Sequence, residues 1–389
     1  CYKPDYKAII CDGSVRSGKT ISMITSFVLW AMSEFEGANF GICGKTVQST
    51  ERNVIVPLQD IIDITYYYTV KYTRSTHCLE VSTSKQCNKF YVFGGKDESS
   101  YQLIQGITLS GVFFDEVVLM PRSFVEQAIT RTISVEKSKL WFNCNPDSSE
   151  HWFYKEWVLK APERKALHLH FTMEDNPTLS ESQIEYAKSQ FVGVFYQRYI
   201  EGLWVLAEGL VYPMFTENNI IDDYISSSGI YYISCDYGIK NPTSMGLWVL
   251  EYDKTIRIKE FYWDGRENYS KTDEELYQDL ENLASGYNVQ HIIVDPSASS
   301  FIECIKRHRK FKVRKANNDV INGIRNTSTL IAKKKILVCK CCVDLLRELK
   351  LYRWDEKSLK DEVIKEHDHA CDDMRYFVNS VAYKLLKGG

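Results

Sequence analysis

The octapeptide Gly13-Ser14-Val15-Arg16-Ser17-Gly18-Lys19-Thr20 constrains this chain more than any other stretch. It fits G-x-x-x-x-G-K-[ST], a loop that wraps phosphate. The glycines let the backbone curl so that N–H groups point at phosphate oxygens. Lys19 brings a point charge to the β- and γ-phosphates, and the Thr20 hydroxyl suits Mg2+. The N-terminus of a following helix adds partial positive charge. The flanks agree with this reading: residues 7–11 form a short apolar run, and apolar residues at helical spacing occupy 21–32. Strand, loop and helix in that order open an α/β domain.

A second stretch completes the phosphate chemistry. Gly111-Val112-Phe113-Phe114-Asp115-Glu116 reads as a buried strand ending in two acids, a Walker B pattern. Asp115 would hold the Mg2+ shell, and Glu116 would orient and deprotonate the attacking water. Further strands are expected at 39–44, 66–70, 79–82 and 89–93, with a helix over 48–64. Leu140-Trp141-Phe142-Asn143-Cys144-Asn145-Pro146 is another apolar strand with a polar end. Asn143 and Asn145 are candidates for sensing the γ-phosphate; a plain Asn-Pro turn is the alternative. Transition-state charge calls for a cation. Arg16, Arg122 and Arg131 are available, and each also reads as a surface or ion-pairing arginine. A strand is expected at 167–171, and helices at 180–190 and 192–200.

The 389 residues allow two or three domains. Net charge is −3, so any nucleic-acid surface must be local. Twelve scattered cysteines fit a reducing compartment better than a disulfide framework. Cys339-Lys340-Cys341-Cys342 contains a C-x-x-C, but a zinc site wants four ligands and no second pair accompanies it. No apolar run approaches the roughly 18–20 residues of a membrane span. The chain begins at Cys1 with the phosphate loop close behind, which leads us to expect a missing N-terminal piece.

Texture changes at Gly202-Leu203-Trp204-Val205-Leu206-Ala207-Glu208-Gly209-Leu210-Val211-Tyr212-Pro213, which places a connector at 206–218 between domains at 1–205 and 219–389. The second half has its own acidic logic. A strand at 230–238 carries Asp236 at its end, and strands at 243–252 and 255–263 follow. After a helix at 273–284, a strand ends in Asp295. Helices and short strands alternate to about residue 352. A final helix opens near Asp368-His369-Ala370-Cys371-Asp372-Asp373. Three strands, helix, strand, helix, strand, helix, with acids at these places, is the layout of an RNase H-like nuclease. Asp236, Asp295 and Asp372 would together hold two Mg2+ or Mn2+ ions for phosphodiester hydrolysis. Asp368, Asp373 and His369 are alternates or supports. Seven of the ten residues 306–315 are Lys or Arg, with Lys333, Lys334 and Lys335 beyond. This stripe suits a phosphate backbone, or is simply a solvated face.

Taken together, these motifs resemble the large subunit of a tailed-phage or prophage terminase of the PBSX-like kind. The resemblance runs over essentially the whole chain. It implies an α/β protein with a P-loop (ASCE-type) ATPase domain followed by an RNase H-like nuclease domain. It further implies ATP-driven movement of double-stranded viral DNA into a procapsid and metal-dependent endonucleolytic cutting of concatemers. ATP and Mg2+ would be the cofactors, with Mn2+ possible at the nuclease site. Lys19 and Thr20 match the family's nucleotide and Mg2+ contacts. Asp115 and Glu116 match its Walker B pair, and Asn145 falls in its ATP-coupling motif. Asp236, Asp295 and Asp372 match its nuclease triad. Implied partners are duplex DNA, a portal protein, a small terminase subunit and further copies in a ring around DNA, with a monomer as the alternative for the isolated chain. The implied place is the bacterial host cytoplasm, transiently at the portal, with no membrane. Two features depart from the family pattern. The upstream glutamine segment that contacts adenine is absent, and residues 96–111 contain no arginine to act as a finger. A repair-type ATPase-nuclease or helicase, and a prophage remnant that only binds DNA or portal, are the rival readings.

Overall fold

The computed structural model describes residues 6–226, 228–238, 240–356, 358 and 361–386. The chain forms two compact units. The first takes the residues up to Ser189 together with Gly193–Leu206; the second takes Gln190–Val192 and the residues from Ala207 onward.

The first unit is built on an eight-stranded sheet: β1 Ala8–Gly13, β2 Asn39–Gly44, β3 Thr69–Thr73, β4 Cys78–Ser82, β5 Cys87–Gly94, β6 Gly111–Asp115, β7 Lys139–Asn143 and β8 Ala166–Phe171. Their spatial order is β3-β4-β5-β2-β6-β7-β1-β8. From β5 to β8 every neighbouring pair is parallel, and β4 alone runs the other way, antiparallel to both β3 and β5. A parallel sheet has to be covered on both faces, and the side-chain period of two sorts the residues accordingly. Ile9, Cys11, Phe40, Ile42, Phe113 and Trp141 enter one core; Ala8, Ile10, Cys43, Val112, Phe114 and Phe142 enter the other. The helix Lys19–Glu34 covers the first face through Met23, Ile24, Phe27, Val28 and Trp30. Phe27 is fully buried among the rings of Phe40, Phe90, Phe113 and Trp141. Its truncation to alanine would cost about 3–5 kcal/mol.

Two expectations fail here. The helix over 48–64 is broken into Val47–Thr50, a π turn at Glu51–Ile55, Val56–Leu58 and Ile62–Thr65. Pro57 has no N–H to give to the carbonyl four residues back, and the preceding turn widens around it. The strand expected at 66–70 begins only at Thr69. The N–H groups of Tyr67 and Tyr68 are spent on Ile64 O at the end of the preceding helix.

The parallel strands position the site. β7 lies between β1 and β6, so the carboxyl ends of these three strands bring the phosphate loop, Asp115-Glu116 and Asn143-to-Asn145 to one edge. Ligands of open α/β sheets bind at such edges.

Among the described residues, the second unit has seven strands: β9 Ile220–Ile221, β10 Ile230–Asp236, β11 Thr243–Leu250, β12 Thr255–Trp263, β13 Val289–Val294, β14 Val313–Lys315 and β15 Ile336–Cys339, in the order β14-β13-β10-β11-β12-β15-β9. β10, β11 and β12 form an antiparallel meander, and β13 joins β10 in parallel. This is the order expected from the sequence. Cys235 pairs with Val294, so Asp236 and Asp295 both leave the sheet at the same edge. The helix His369–Phe377 lies across β10 and β11 and continues through a π turn, Val378–Ala382. The expected connector is tied to this unit: Leu210 bridges Arg353, Val211 donates to Tyr352 O, and Tyr212 is buried.

Two candidate active sites

The phosphate loop starts where β1 can only carry glycine. Gly13 has φ +129°, and a Cβ there would sit 1.9 Å from Phe171 O. Gly18, at φ +82°, caps the helix Lys19–Glu34 without a side-chain acceptor, which leaves first-turn N–H groups for an anion. Lys19 is only 5% exposed. Its ammonium donates to Gly13 O (3.2 Å), Ser14 O (2.6 Å), Ser17 Oγ (3.2 Å) and Asn145 Oδ1 (3.1 Å). Burial pushes its pKa down, opposed first by the charge of Glu116. The charge is thus stored against weak dipoles that an incoming phosphate would outcompete.

Both Walker B acids meet this loop. Thr20 Oγ1 donates to Asp115 Oδ1 at 3.4 Å, and Asn143 Nδ2 reaches both oxygens at 2.8 Å. Burial raises the Asp115 pKa. Glu116 stands at φ +57°, a left-handed conformation that costs a non-glycine residue about 1–3 kcal/mol. Its carboxylate accepts from Asn145 N (3.3 Å) and Nδ2 (3.0 Å). Burial, then the neighbouring charge of Asp115, raises its pKa to about 7. Both asparagines therefore belong to the site, in different places: Asn143 at Thr20 and Asp115, Asn145 at Lys19 and Glu116. Among the described residues, the buried Ser14 Oγ and Asn143 Oδ1 find no hydrogen-bond partner.

The three candidate arginines separate. Arg122 is held by Glu126 and Glu156 on the surface. Arg131 caps the helix Arg122–Thr130 and carries a buried, unpartnered Nε. Arg16 is exposed, at φ +60°, in the loop itself.

Sequence reasoning missed one cluster. Asp12, 1% exposed, lies just ahead of the loop. Its Oδ1 meets His168 Nε2 at 3.0 Å and His170 Nδ1 at 2.9 Å, and its Oδ2 accepts from Trp204 Nε1 at 2.7 Å. Burial alone would raise its pKa; the histidine and indole hydrogen bonds prevail and hold it well below the usual carboxylate range. The only trace in the sequence is His-Leu-His at 168–170, whose period of two puts both rings on one face of β8.

The second site lies wholly in the second unit. Asp236 ends β10 and Asp295 follows β13; the Tyr376 hydroxyl donates to Asp295 Oδ2 (3.0 Å) and lies 3.4 Å from Asp236 Oδ1. His369 Nδ1 is 2.8 Å from Asp236 Oδ2. Burial raises the Asp236 pKa to about 6, eased by the His369 hydrogen bond and reinforced by the charge of Asp372. Burial opposes a charge on His369, but the bond to Asp236 prevails and raises its pKa. Asp372 is held by Arg375 (Nη2–Oδ2 3.0 Å) and accepts from Tyr352. Lys365 lies 3.5 Å from Asp368 and 3.6 Å from Asp372.

Of the alternates, Asp373 turns away from the others. It is fully buried and paired with Arg257 (2.5 Å), Ser234 (2.8 Å) and Ser244. Asp368 and His369 stay near the site, 3.8 Å apart. Tyr376 and Tyr352 have no sequence signal beyond their place near the final helix.

The basic stripe is exposed but partly neutralised: Lys306 pairs with Glu303, Arg307 with Glu274, and Lys310 with Glu281. The thiols of Cys341 and Cys342 donate to Ile258 O and Arg257 O.

Comparison with known proteins matches both parts of the chain to one family. Residues 10–219 match the model "Terminase large subunit, T4likevirus-type, N-terminal", and residues 236–381 match "Terminase RNaseH-like domain". The structure is similar to the large terminase of a thermophilic bacteriophage, with TM-score 0.90, 49% identity, 97% of this chain and 94% of that chain covered. It is also similar to that phage protein in complex with ATP-gamma-S, with TM-score 0.86, 47% identity, 97% of this chain and 94% of that chain covered. A "Terminase, large subunit" of Escherichia phage T5 is 24% identical over 232 residues, 55% of this chain; the match spans 51% of that relative's length.

Proposed function

This chain belongs to the terminase large-subunit family, and on that premise we propose that it hydrolyses ATP to drive double-stranded viral DNA into a procapsid and cuts concatemeric DNA with a metal-dependent nuclease. One observation carries the reading. A chain whose first unit holds Lys19 and Glu116 at a phosphate loop carries, in its second unit, Asp236 and Asp295 joined through Tyr376.

In the ATPase reading, residues Gly13, Ser14, Val15, Arg16, Ser17 and Gly18 cradle the phosphates and Lys19 neutralises them. Thr20 and Asp115 supply two hard oxygens, and the unpartnered Asn143 Oδ1 beside them fits a site that takes an oxygen-ligated cation such as Mg2+. Glu116 orients the water and accepts its proton. Asn145 joins Lys19 to Glu116 and passes their change of charge into β7. In the nuclease reading, Asp236, Asp295 and Asp372 would hold divalent cations. The residues fit: crowded carboxylates, whose burial and mutual repulsion raise the Asp236 pKa, are relieved by positive charge. Such cations, when bound, activate water and stabilise the leaving oxygen. His369 orients Asp236, and Tyr376 fixes Asp236 relative to Asp295. We assign the ATPase domain to residues 1–205, the connector to 206–218 and the nuclease to 219–389. The proposed partners are duplex DNA, portal protein, small terminase subunit and further copies of the chain, in the host cytoplasm at the portal.

The test uses the purified chain on linear and circular duplex, with and without ATP, in Mg2+ or Mn2+. Cleavage should require the metal but not ATP. Asp295→Ala should remove cleavage and leave ATPase activity; Glu116→Gln should do the reverse. A chain that unwinds duplex in a strand-displacement assay would point instead to a helicase.

A further inference from the structure

Outside both sites, the helices Asp273–Ala284 and Ser299–His308 bring three different donor types together. Cys304 and His308 are four residues apart, so both face the same way on one helix. Glu274, in the first turn of the other helix, lies opposite. Its Oε1 is 3.5 Å from Cys304 Sγ and its Oε2 is 2.7 Å from His308 Nε2. The three ligand atoms lie within 4.8 Å of one another, and among the described residues this is the one such group found.

We propose that Glu274, Cys304 and His308 form a binding site for a divalent cation of borderline softness, zinc foremost, separate from the aspartates of the nuclease. Mixed sulfur, imidazole and carboxylate donors suit zinc and cobalt rather than magnesium. Zinc–sulfur and zinc–nitrogen bonds of about 2.3 and 2.0 Å put tetrahedral ligand atoms about 3.5 Å apart. The Glu274–Cys304 separation already meets that spacing. The His308–Glu274 pair must open slightly, and Glu274, with its side chain 59% exposed, has room to do so. The imidazole is held flat: its ring stacks on Tyr277 with centroids 3.8 Å apart and planes 8° from parallel. Cys304 is fully shielded from solvent, and its thiol donates to Glu274 Oε1 at 3.5 Å and to Asp273 O at 3.6 Å. Burial, then the Glu274 hydrogen bond, pushes the thiol pKa to about 11 in the metal-free protein. Loading therefore forms a metal–sulfur bond and releases the thiol proton to solvent, with no change of oxidation state; water completes the fourth position. Arg307, 3.8 Å from the same carboxylate, is the cation that the metal displaces.

The test is a titration of the chelator-stripped, full-length protein with Co2+, followed by competition with Zn2+. A thiolate-to-cobalt charge-transfer band should rise and saturate at one equivalent of thiolate-bound metal, then vanish on adding Zn2+. Carboxylate-bound cobalt at the nuclease site gives no such band, so the two loadings are separable. Cys304→Ser should abolish the band. His308→Ala and Glu274→Gln, both on exposed positions, should weaken cobalt binding by about tenfold or more. A wild-type protein without the band at saturating Co2+, or a band of equal strength in Cys304→Ser, would overturn the proposal.

Discussion

Asn145 Nδ2 donates to Glu116 Oε1 at 3.0 Å, and the Oδ1 of the same amide accepts from the Lys19 ammonium at 3.1 Å. An ammonium can only donate and an ionised carboxylate can only accept, so the amide has one permitted orientation. It therefore registers any change of charge at either partner. Asn145→Ala should lower ATP turnover about 10-fold to 100-fold while nucleotide affinity changes little. Losing an N–H donor disfavours the ionised carboxylate, so the acid limb of the turnover profile should move to higher pH. An unmoved limb would separate Asn145 from Glu116.

Glu116→Gln should cut turnover by about 10²–10⁴-fold and preserve binding of a non-hydrolysable ATP analogue. In the unaltered protein, burial raises the Glu116 pKa to about 7. A base must be ionised to accept a proton, and that form is lost as pH falls through 7. Single-turnover hydrolysis should therefore decline below neutrality, and the residual rate of the glutamine variant should be flat over the same range.

Tyr376→Phe should slow metal-dependent cleavage without touching ATPase activity. The hydroxyl is a hydrogen-bond donor between Asp236 and Asp295. Burial raises the Asp236 pKa to about 6, so a cation there competes with a proton, and without the hydroxyl the two carboxylates lose the group that fixes their spacing. The Mn2+ concentration that gives half-maximal cleavage should thus rise in the phenylalanine variant; an unchanged metal dependence would make Tyr376 a packing residue.

Asp12→Asn should destabilise the first unit by about 3 kcal/mol, because it breaks a buried charge away from two histidines. The pH dependence has a definite sign. Asp12 is depressed, so its stabilisation is present above the ordinary aspartate value and is lost as pH falls through the lowered one. His170 is raised by its bond to Asp12, so its share is full below the ordinary histidine value and is lost as pH rises through the raised one. The gap between native and variant in thermal unfolding should be widest between about pH 4 and 6.5 and narrower at pH 8.5. An equal gap at both would remove the histidines from the account.

Asp373→Asn should cost the second unit about 3 kcal/mol in denaturant unfolding, since it leaves the fully buried Arg257 with Glu260, 3.2 Å away, as its remaining carboxylate partner. Asp295→Ala, at a partly exposed strand end, should stay within about 1 kcal/mol of the native protein. Equal stabilities for the two variants would argue that Glu260 alone satisfies Arg257.

Much of this was legible in the chain because the chemistry is local. The phosphate loop and Asp115-Glu116 each lie in one short stretch, and the strands around them are runs of apolar residues with two buried faces. Asp236 and Asp295 could be placed because both close an apolar strand. Pairings across long separations could not be read. Asp12 meets His168 and His170 across neighbouring strands and Trp204 from an irregular segment, which no local pattern encodes. The division of labour between Asp372 and Asp373 depends on about 100° of turn per residue along one helix, which sends one acid to the site and the next to Arg257. The break at Pro57 was visible in principle, as a proline within an otherwise helical stretch.

That last helix, His369–Phe377, ties cutting to melting. Asp372 cannot move without its neighbour, and Asp373 is anchored in the core by Arg257, Ser234 and Ser244. On the proposed assignment, the metal-binding Asp372 thus softens only with the domain that anchors its helix. Loss of cleavage on heating should therefore superimpose on the cooperative unfolding curve of the second unit, and a compound that stiffens the core around Arg257 should protect the site from a distance.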